Sequence, residues 1–567
     1  MILRWTVVAA RAFAIGACLG LQAGQASAAG AIRHVIIIMQ ENRSFDQYFG
    51  TYPGADGIPA DACIPFKPSQ PSLGCLMPFH SQLDVNAGGP HRAIDAQADL
   101  DNGITRARND GFLASQSNAS HNIGCLRGNN DPNCATSLLG VLTHDAVSYH
   151  TDAEIPNYWA YAEHFVLQDH MFEPERSWSL PSHMGLTSLW AAVCTNPASA
   201  GSCVTSVDPA LPNRSTVYPW ASLFQLLDIH GVSWKYYLAQ GTEPDCEDGE
   251  MTCAPQIQNS AVPSIWNLAP LYAYVQAQGP AYASTHVPDV SKFLADLRAG
   301  TLPQVSWVIP SGVYSEHPPA GVTAGMEYVT SLINAVMQSH AWDSTAIFLT
   351  WDDWGGFYDH VAPPLADRNT SRTPAQGYGL RVPGLLISPW AKAGTIDHAL
   401  YSFDSYATFI ENEFMGGARL NPAALGNPDS RPDERDALTV VLGAKGAQLA
   451  VGQLESEFDF TQKPLPPLIL PTHIPTGITV SCNQDPTTEI CRAGKVVITW
   501  NPVTGAQVKG PFTYSIYRDG VQLAQCNGTA TTCTDRPGQG VHFYRAASTG
   551  AAGELSPQSA AAEAILK

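Results

Sequence analysis

HVIIIMQENRSFDQYFG, residues 34–50, sets five apolar residues, Val35 to Met39, directly against Gln40, Glu41, Asn42, Arg43 and Ser44. A run that apolar fits a strand buried on both faces, as in a parallel sheet covered by helices. The polar crowd at its end has two readings. It is either a strand running out into a solvated loop or a site at the carboxyl edge of the sheet, where open α/β folds place their ligands.

The neighbouring sequence favours the second reading. QVSWVIP (304–310), TAIFLTW (345–351) and VPGLLIS (382–388) are further short apolar runs, and helix-period segments lie at 218–230, 288–299, 324–340 and 402–415. Strands alternating with helices predict an α/β domain, a mainly parallel sheet sandwiched by helices. The loops 53–92 and 109–140 are long, and loops of that length are functional or stapled.

The 567 residues exceed one ordinary domain, and the formal net charge is −20. An acidic chain gains nothing from a phosphate backbone, so no nucleic acid partner is expected. Residues 1–28 read as a secretory signal, with Arg4, an apolar stretch from Val7 to Leu21 and the small-residue site Ala26-Ser27-Ala28. No other run of ~18 apolar residues occurs, so a secreted chain without a transmembrane segment is expected, periplasmic or extracellular. Apart from Cys18 in the signal, the cysteines form neighbouring couples: Cys63 with Cys75, Cys125 with Cys134, Cys194 with Cys203, Cys246 with Cys253, Cys482 with Cys491, and Cys526 with Cys533. Local disulfides made in an oxidising compartment are the simplest reading. Metal-thiolate sites are the alternative, but no C-x-x-C occurs.

KPLPPLILPTHIP marks a Pro-rich linker at 463–475 after a catalytic region 31–462. Beyond it, in 476–567, short alternating runs at 477–481, 496–500, 512–518, 521–524 and 541–547 predict a small all-β sandwich. Its arrangement resembles a fibronectin type III domain, with Trp500 and Tyr544 as core aromatics.

Glu41 and Asn42 end the first run, and Asp352 and Asp353 end TAIFLTW. If they converge, their charges need a cation. Hard oxygen donors favour Ca2+, Mg2+ or Mn2+. Glu316 and His317 follow the run at 304–310. In SWSLPSHMGL (177–186) Pro181 is placed to start a helix with Met184 to Trp190 as its body. Ser179 then meets a helix N-terminus, which suits either a helix cap or an alkoxide beside a phosphate. Trp354 stands beside the Asp pair, as core packing or as a wall for the leaving group or a choline cation.

QENRSFDQYFGTYPG (40–54), SWSLPSH (177–183), SEHPP (315–319) and TWDDWGGFYDHVAPP (350–364), in this order, resemble the bacterial phosphoesterase family. HRAIDAQADLDNGITRARNDGF (91–112) and VLQDHMFEP (166–174) resemble it more distantly. That family contains secreted phospholipases C and metal-dependent acid phosphatases, and belongs to the alkaline phosphatase superfamily. The resemblance implies an alkaline phosphatase-like fold over roughly 31–420 and a phosphate-ester substrate, possibly a phospholipid. It implies that Glu41, Asn42, Asp352 and Asp353 bind the metal and that Ser179 is the nucleophile. By the same resemblance His317 would contact the phosphoryl group and protonate the leaving alcohol, and His91, His183 and His360 would line the phosphate site. His183 stands where many phospholipases carry Arg, and sulfatases also want Arg there, which weighs against a sulfatase and against the nearest phospholipase C subgroup. A phospholipase C is the leading expectation, an acid phosphatase the alternative, and an inactive cell-surface binding protein the rival of another class.

Overall fold

Val35 to Met39 are all fully buried in the third strand of a seven-stranded sheet, beside its middle strand. Burying each such side chain stabilises the fold by about 1.5–3 kcal/mol. In chain order the strands are β1 (His34–Gln40), β2 (Val166–Gln168), β3 (Trp234–Leu238), β4 (Val305–Ile309), β5 (Thr345–Trp351), β6 (Gly384–Ile387) and β7 (Thr395–Asp397). Their spatial order is β3-β4-β1-β5-β6-β2-β7. β3, β4, β1 and β5 run parallel, β6 is antiparallel to both its neighbours, and β2 pairs with β7 in parallel. The computed structural model describes residues 30–100, 108–118, 144–244, 256–260, 262–364, 377–431, 440–442, 448–483, 490–492, 494–504 and 508–567. The expected signal, the couples Cys125 with Cys134 and Cys246 with Cys253, and most of loop 109–140 lie outside the described residues.

The helices lie in the expected segments with shifted ends, Leu223–Ile229, Val290–Ala299, Val322–Met337 and Phe403–Met415, the third starting two residues before the expected 324. Phe409 and Tyr406 of the last pack on Phe348 of β5, with ring centroids 5.4 and 5.0 Å apart. The other four cysteine couples are disulfides, Cys63–Cys75, Cys194–Cys203, Cys482–Cys491 and Cys526–Cys533. No helix among the described residues is long and apolar enough to cross a membrane.

Toward the C-terminus a three-stranded antiparallel sheet (Thr479–Ser481, Val496–Thr499, Thr532–Asp535) and a four-stranded one (Thr513–Arg518, Val521–Gln522, Gly540–Thr549, Ala562–Leu566) share a separate buried cluster. Trp500 and Tyr544 belong to it. The strand Ala562–Leu566 reads locally as helix former, and its pairing with Gly540–Tyr544 overrides that preference.

The run 463–475 has no helix or strand and is anchored along its length. Asn334 Nδ2 donates to Leu470 O (2.8 Å), its Oδ1 accepts from Leu470 N (3.1 Å), and Asn157 Nδ2 donates to Pro471 O (2.9 Å). Thr472, His473 and Ile474 are buried. The C-terminal sheets dock too: Asp84 N donates to Ala561 O (2.8 Å), Ala561 N donates to Gln82 O (2.7 Å), and Arg545 pairs with the buried Glu154. His80 Nε2 lies 2.7 Å from the same carboxylate. Burial by itself would raise the Glu154 pKa, but the hydrogen bonds from His80 and Arg545 outweigh it and pull it down to about 2.

The contact is therefore acid-sensitive. A carboxylate with a depressed folded pKa stabilises fully above its unfolded value of 4.5 and loses that stabilisation as pH falls toward about 2. The contribution is on the order of 3 kcal/mol. Glu154→Gln is expected to flatten the stability–pH profile in this window, measured by urea unfolding. An unchanged profile would show that the carboxylate contributes nothing to docking.

Candidate functional site

Strand register assembles the first half of the site. Gln40 is level with Trp351, so the residues beyond them leave the sheet side by side. Asp352 N donates to Gln40 O (2.9 Å), Arg43 N to Asp353 O (3.0 Å), and Asn42 N to Asp352 Oδ1 (2.8 Å). Asn42 itself is left-handed (φ 60°). A Cβ on Gly355, also left-handed (φ 61°), would sit 2.7 Å from both the Cβ and the carbonyl oxygen of Asn42, so this close approach requires glycine.

The helix Ser179–Ser188 supplies the other half. It starts two residues before Pro181 and ends at Ser188, short of the expected Trp190. Pro181 still lies in its first turn, where the N–H it lacks would have no intrahelical acceptor. Leu189, left-handed at φ 58°, caps the helix. Ser179 is thus the first helical residue. Its Oγ lies 3.1 Å from Glu41 Oε2 and 3.3 Å from Asp353 Oδ2. Ser182 Oγ donates to Asp352 O (2.6 Å) and ties the helix to β5. One turn on, His183 Nε2 lies 3.1 Å from Glu41 Oε1 and 4.0 Å from Asp352 Oδ2.

Glu41, Asn42, Ser179, His183, Asp352 and Asp353 are all fully buried. Three carboxylates so close together, out of water, repel one another unless a cation or protons intervene. Glu41, His183 and Asp352 can offer ligand atoms within 4.8 Å of one another. Asp352 Oδ2 and Asn42 Oδ1 are buried and accept no hydrogen bond. Such orphaned acceptors are costly unless something else satisfies them. The donor set therefore fits a divalent metal.

His91 and His317 border this cage. His91 Nε2 lies 2.9 Å from Asn42 Nδ2, and its Nδ1 lies 2.8 Å from Gly89 O. The rings of His91 and His317 have centroids 6.1 Å apart. His317 Nδ1 lies 2.7 Å from the carbonyl of Pro318; donation there leaves Nε2 as the basic nitrogen.

Three residues stand elsewhere than their strand-end positions suggest. His360 makes its contacts in a second cluster, with Nδ1 2.8 Å from Asp46 Oδ2 and Nε2 3.3 Å from Asp56 Oδ1. Burial lowers its pKa, but the hydrogen bond to Asp46 outweighs that and holds it raised. The Glu316 carboxylate is turned into the core, where Tyr48 Oη (2.6 Å), Tyr158 Oη (2.5 Å) and Trp351 Nε1 (3.0 Å) donate to it. Its left-handed backbone (φ 71°) separates it from His317. Trp354 is fully buried and donates to Asp99 Oδ2 (3.0 Å), so its indole packs in the core beside His91 instead of forming an open wall.

Two arginines that the spacing did not single out hold the loops in place. Arg43 Nη1 donates to Asn42 O (2.9 Å), its Nε donates to Tyr48 Oη (3.0 Å), and its guanidinium lies over the Phe357 ring. Arg381 is buried between Asp46 and Asp359. The available signal was a charged residue next to an apolar run with no solvated turn between, in ENRSF and in LRVPGLL.

Residues 32–415 match the Phosphoesterase family. The "Non-hemolytic phospholipase C" of Burkholderia pseudomallei is 28% identical over 437 residues, 68% of this chain and 55% of that protein. "Phospholipase C A" of Mycobacterium tuberculosis is 28% identical over 408 residues, 65% of this chain and 71% of that protein. The chain thus spans about half the length of the Burkholderia relative. Among solved structures, a protein in the alkaline phosphatase superfamily from Vibrio parahaemolyticus aligns over 55% of this chain and 76% of its own at 15% identity. Its TM-score of 0.28 is too low to bear on the fold. The chain belongs to the phosphoesterase family.

Proposed function

We propose, starting from membership of the phosphoesterase family, that this phosphoric ester hydrolase is a secreted, metal-dependent enzyme acting through Ser179. The observation that carries the reading is the position of the Ser179 hydroxyl. It stands at the first residue of a helix, within reach of Glu41 and Asp353, in a buried set whose Asn42 Oδ1 and Asp352 Oδ2 accept no hydrogen bond. Glu41, Asn42, Asp352 and Asp353 would hold the metal, with His183 beside them. One imidazole among carboxylates widens the suitable ions from Mg2+, Ca2+ and Mn2+ toward Zn2+. When bound, the ion lowers the pKa of a hydroxyl and neutralises phosphoryl charge.

The chain's own residues do the rest. Ser179 Oγ attacks phosphorus in line, the alcohol leaves opposite it, and a phosphoserine forms that water then hydrolyses. The Ser179 proton passes to the adjacent Glu41 or Asp353 carboxylate and returns when the phosphoserine is cleaved. His317, its ring held by the Pro318 carbonyl and protonated at Nε2, gives its Nε2 proton to the leaving oxygen and takes one back from the attacking water. His91 orients the amide of Asn42. His360 acts at a distance, by bracing Asp46 in the short helix Phe45–Phe49.

The α/β region, 31–462, is read as alkaline phosphatase-like, and 476–567 as a fibronectin type III-like sandwich joined by 463–475. The two antiparallel sheets over one shared cluster support the latter. Disulfides support passage through an oxidising compartment, and so a secreted location.

A phospholipase C reading rests on the relatives' names, with an acid phosphatase as the alternative. Purified protein is to be assayed on p-nitrophenyl phosphorylcholine and p-nitrophenyl phosphate, with and without EDTA. Chelator-sensitive cleavage of the diester is expected. Cleavage of the monoester alone would make it a phosphatase. No cleavage of either by folded, metal-supplied protein would overturn the enzyme reading in favour of a binding protein.

A further inference from the structure

A second group of metal-capable side chains lies where the turns after β2 and β7 meet the loop at Asp56. Asp169 and His170 follow β2 directly, and His398 follows β7. Parallel pairing sets Gln168 level with Asp397, so the next residues emerge together, as at the cage. Asp169 Oδ2 lies 2.7 Å from His398 Nδ1, and Asp169 Oδ1 lies 3.2 Å from His170 Nδ1. His170 Nε2 lies 3.1 Å from Asp56 Oδ2. Asp169, His170 and His398 can offer ligand atoms within 4.8 Å of one another.

Two observations set this group apart from ordinary surface charge. Asp169 is fully buried, yet its Oδ1 accepts no hydrogen bond. The neighbouring His170 Nδ1 is directed at the carbonyl of His398 (3.1 Å) instead. The surroundings are also short of positive charge. Arg381 pairs with the carboxylates of Asp46 and Asp359 but meets Asp56 and Asp169 only through their backbone carbonyls. The ion-pair partners of the Asp56 and Asp169 carboxylates among the described residues are imidazoles, those of His170, His360 and His398. His398 and Asp56, 60% and 47% exposed, leave a route in from solvent.

We propose that Asp169, His170 and His398, completed by Asp56, form a second metal site of the Zn2+ class, separate from the Glu41–Asp352 cage. Mixed imidazole and carboxylate donors suit a borderline divalent ion better than Ca2+ or Mg2+. The two sites share no residue. An ion here staples the Asp56 loop to the ends of β2 and β7. Through Asp56 and His360 it also braces Asp46, in the helix Phe45–Phe49 that follows Asn42.

The test uses the full chain, stripped with chelator and titrated with Zn2+ at mildly alkaline pH. Calorimetry and elemental analysis read the number bound, and the melting temperature reads the staple. The variants are His170→Ala/His398→Ala, which removes donors near the surface, and Asp353→Asn, which alters only the cage. The double variant is expected to bind one Zn2+ fewer than wild type and to show a smaller Zn2+-induced rise in melting temperature. Asp353→Asn is expected to keep the part of the rise that His170→Ala/His398→Ala removes. His398→Ala alone weakens this equivalent on the order of a hundredfold. Equal stoichiometry and affinity in the double variant and wild type would overturn the site. Because the readout is a difference between wild type and variant, it stands or falls apart from the phosphoesterase mechanism.

Discussion

Ser179→Ala is expected to lower turnover by at least about a thousandfold while the protein stays folded. The hydroxyl is the only group at that position able to form a bond to phosphorus. Its two neighbours, Glu41 and Asp353, are carboxylates at 3.1 and 3.3 Å that would be held by the metal. The structural cost is small by comparison. Losing one buried donor costs about 1–3 kcal/mol, and alanine is the best helix former at a helical position. Single-turnover assays on both p-nitrophenyl esters, beside a thermal melt, separate the two effects. A folded variant retaining more than a tenth of wild-type turnover would remove Ser179 as nucleophile and leave it a helix-end donor to Glu41.

The second large effect concerns stability. Arg381→Met is expected to destabilise the fold by about 3–5 kcal/mol in urea. The Arg381 side chain is fully buried. Its Nε donates to Asp359 Oδ1 (2.9 Å), and its Nη2 donates to Asp46 Oδ1 (3.0 Å). Its Nη1 donates to the carbonyls of Asp56 and Asp169, 2.8 Å each, and its guanidinium lies over the Phe45 ring. Removing it strands two buried carboxylates, Asp46 in the short helix that follows Asn42 and Asp359 in the loop that follows Asp353. Burial lowers an arginine's pKa, yet the Asp359 and Asp46 carboxylates outweigh that and push Arg381's up, so it stays charged at any working pH. Lysine cannot span both carboxylates with one point charge, so Arg381→Lys is expected to rescue little. A loss below about 1 kcal/mol would show that the acids find other partners or take up protons at little cost.

These two residues also divide what could be read in advance from what could not. Glu41, Asn42, Asp352 and Asp353 were legible because each follows directly on a buried strand, and parallel register carries adjacent strand ends to one place. Ser179 was legible through Pro181 and the helix it announces, though the helix begins at the serine itself. Arg381, which binds the two site loops from behind, gave no periodic signal, because its partners lie 335 and 22 residues away in sequence.

The α/β class, the buried strand His34–Gln40, the pairing of cysteines within the described couples and the residues that could carry chemistry were all legible in the sequence by itself. Each of these depends on local composition, on spacing, or on the short reach of a chain between neighbouring cysteines. Tertiary structure decided what each polar side chain faces. Glu316 and His317 are adjacent in sequence, yet one carboxylate is enclosed by Tyr48, Tyr158 and Trp351 while its neighbour's ring lies beside His91. His360 joins Asp46 and Arg381, and His183 joins Glu41. A side chain's partner is set by backbone direction at one residue and by strands hundreds of residues apart, and no local pattern encodes either.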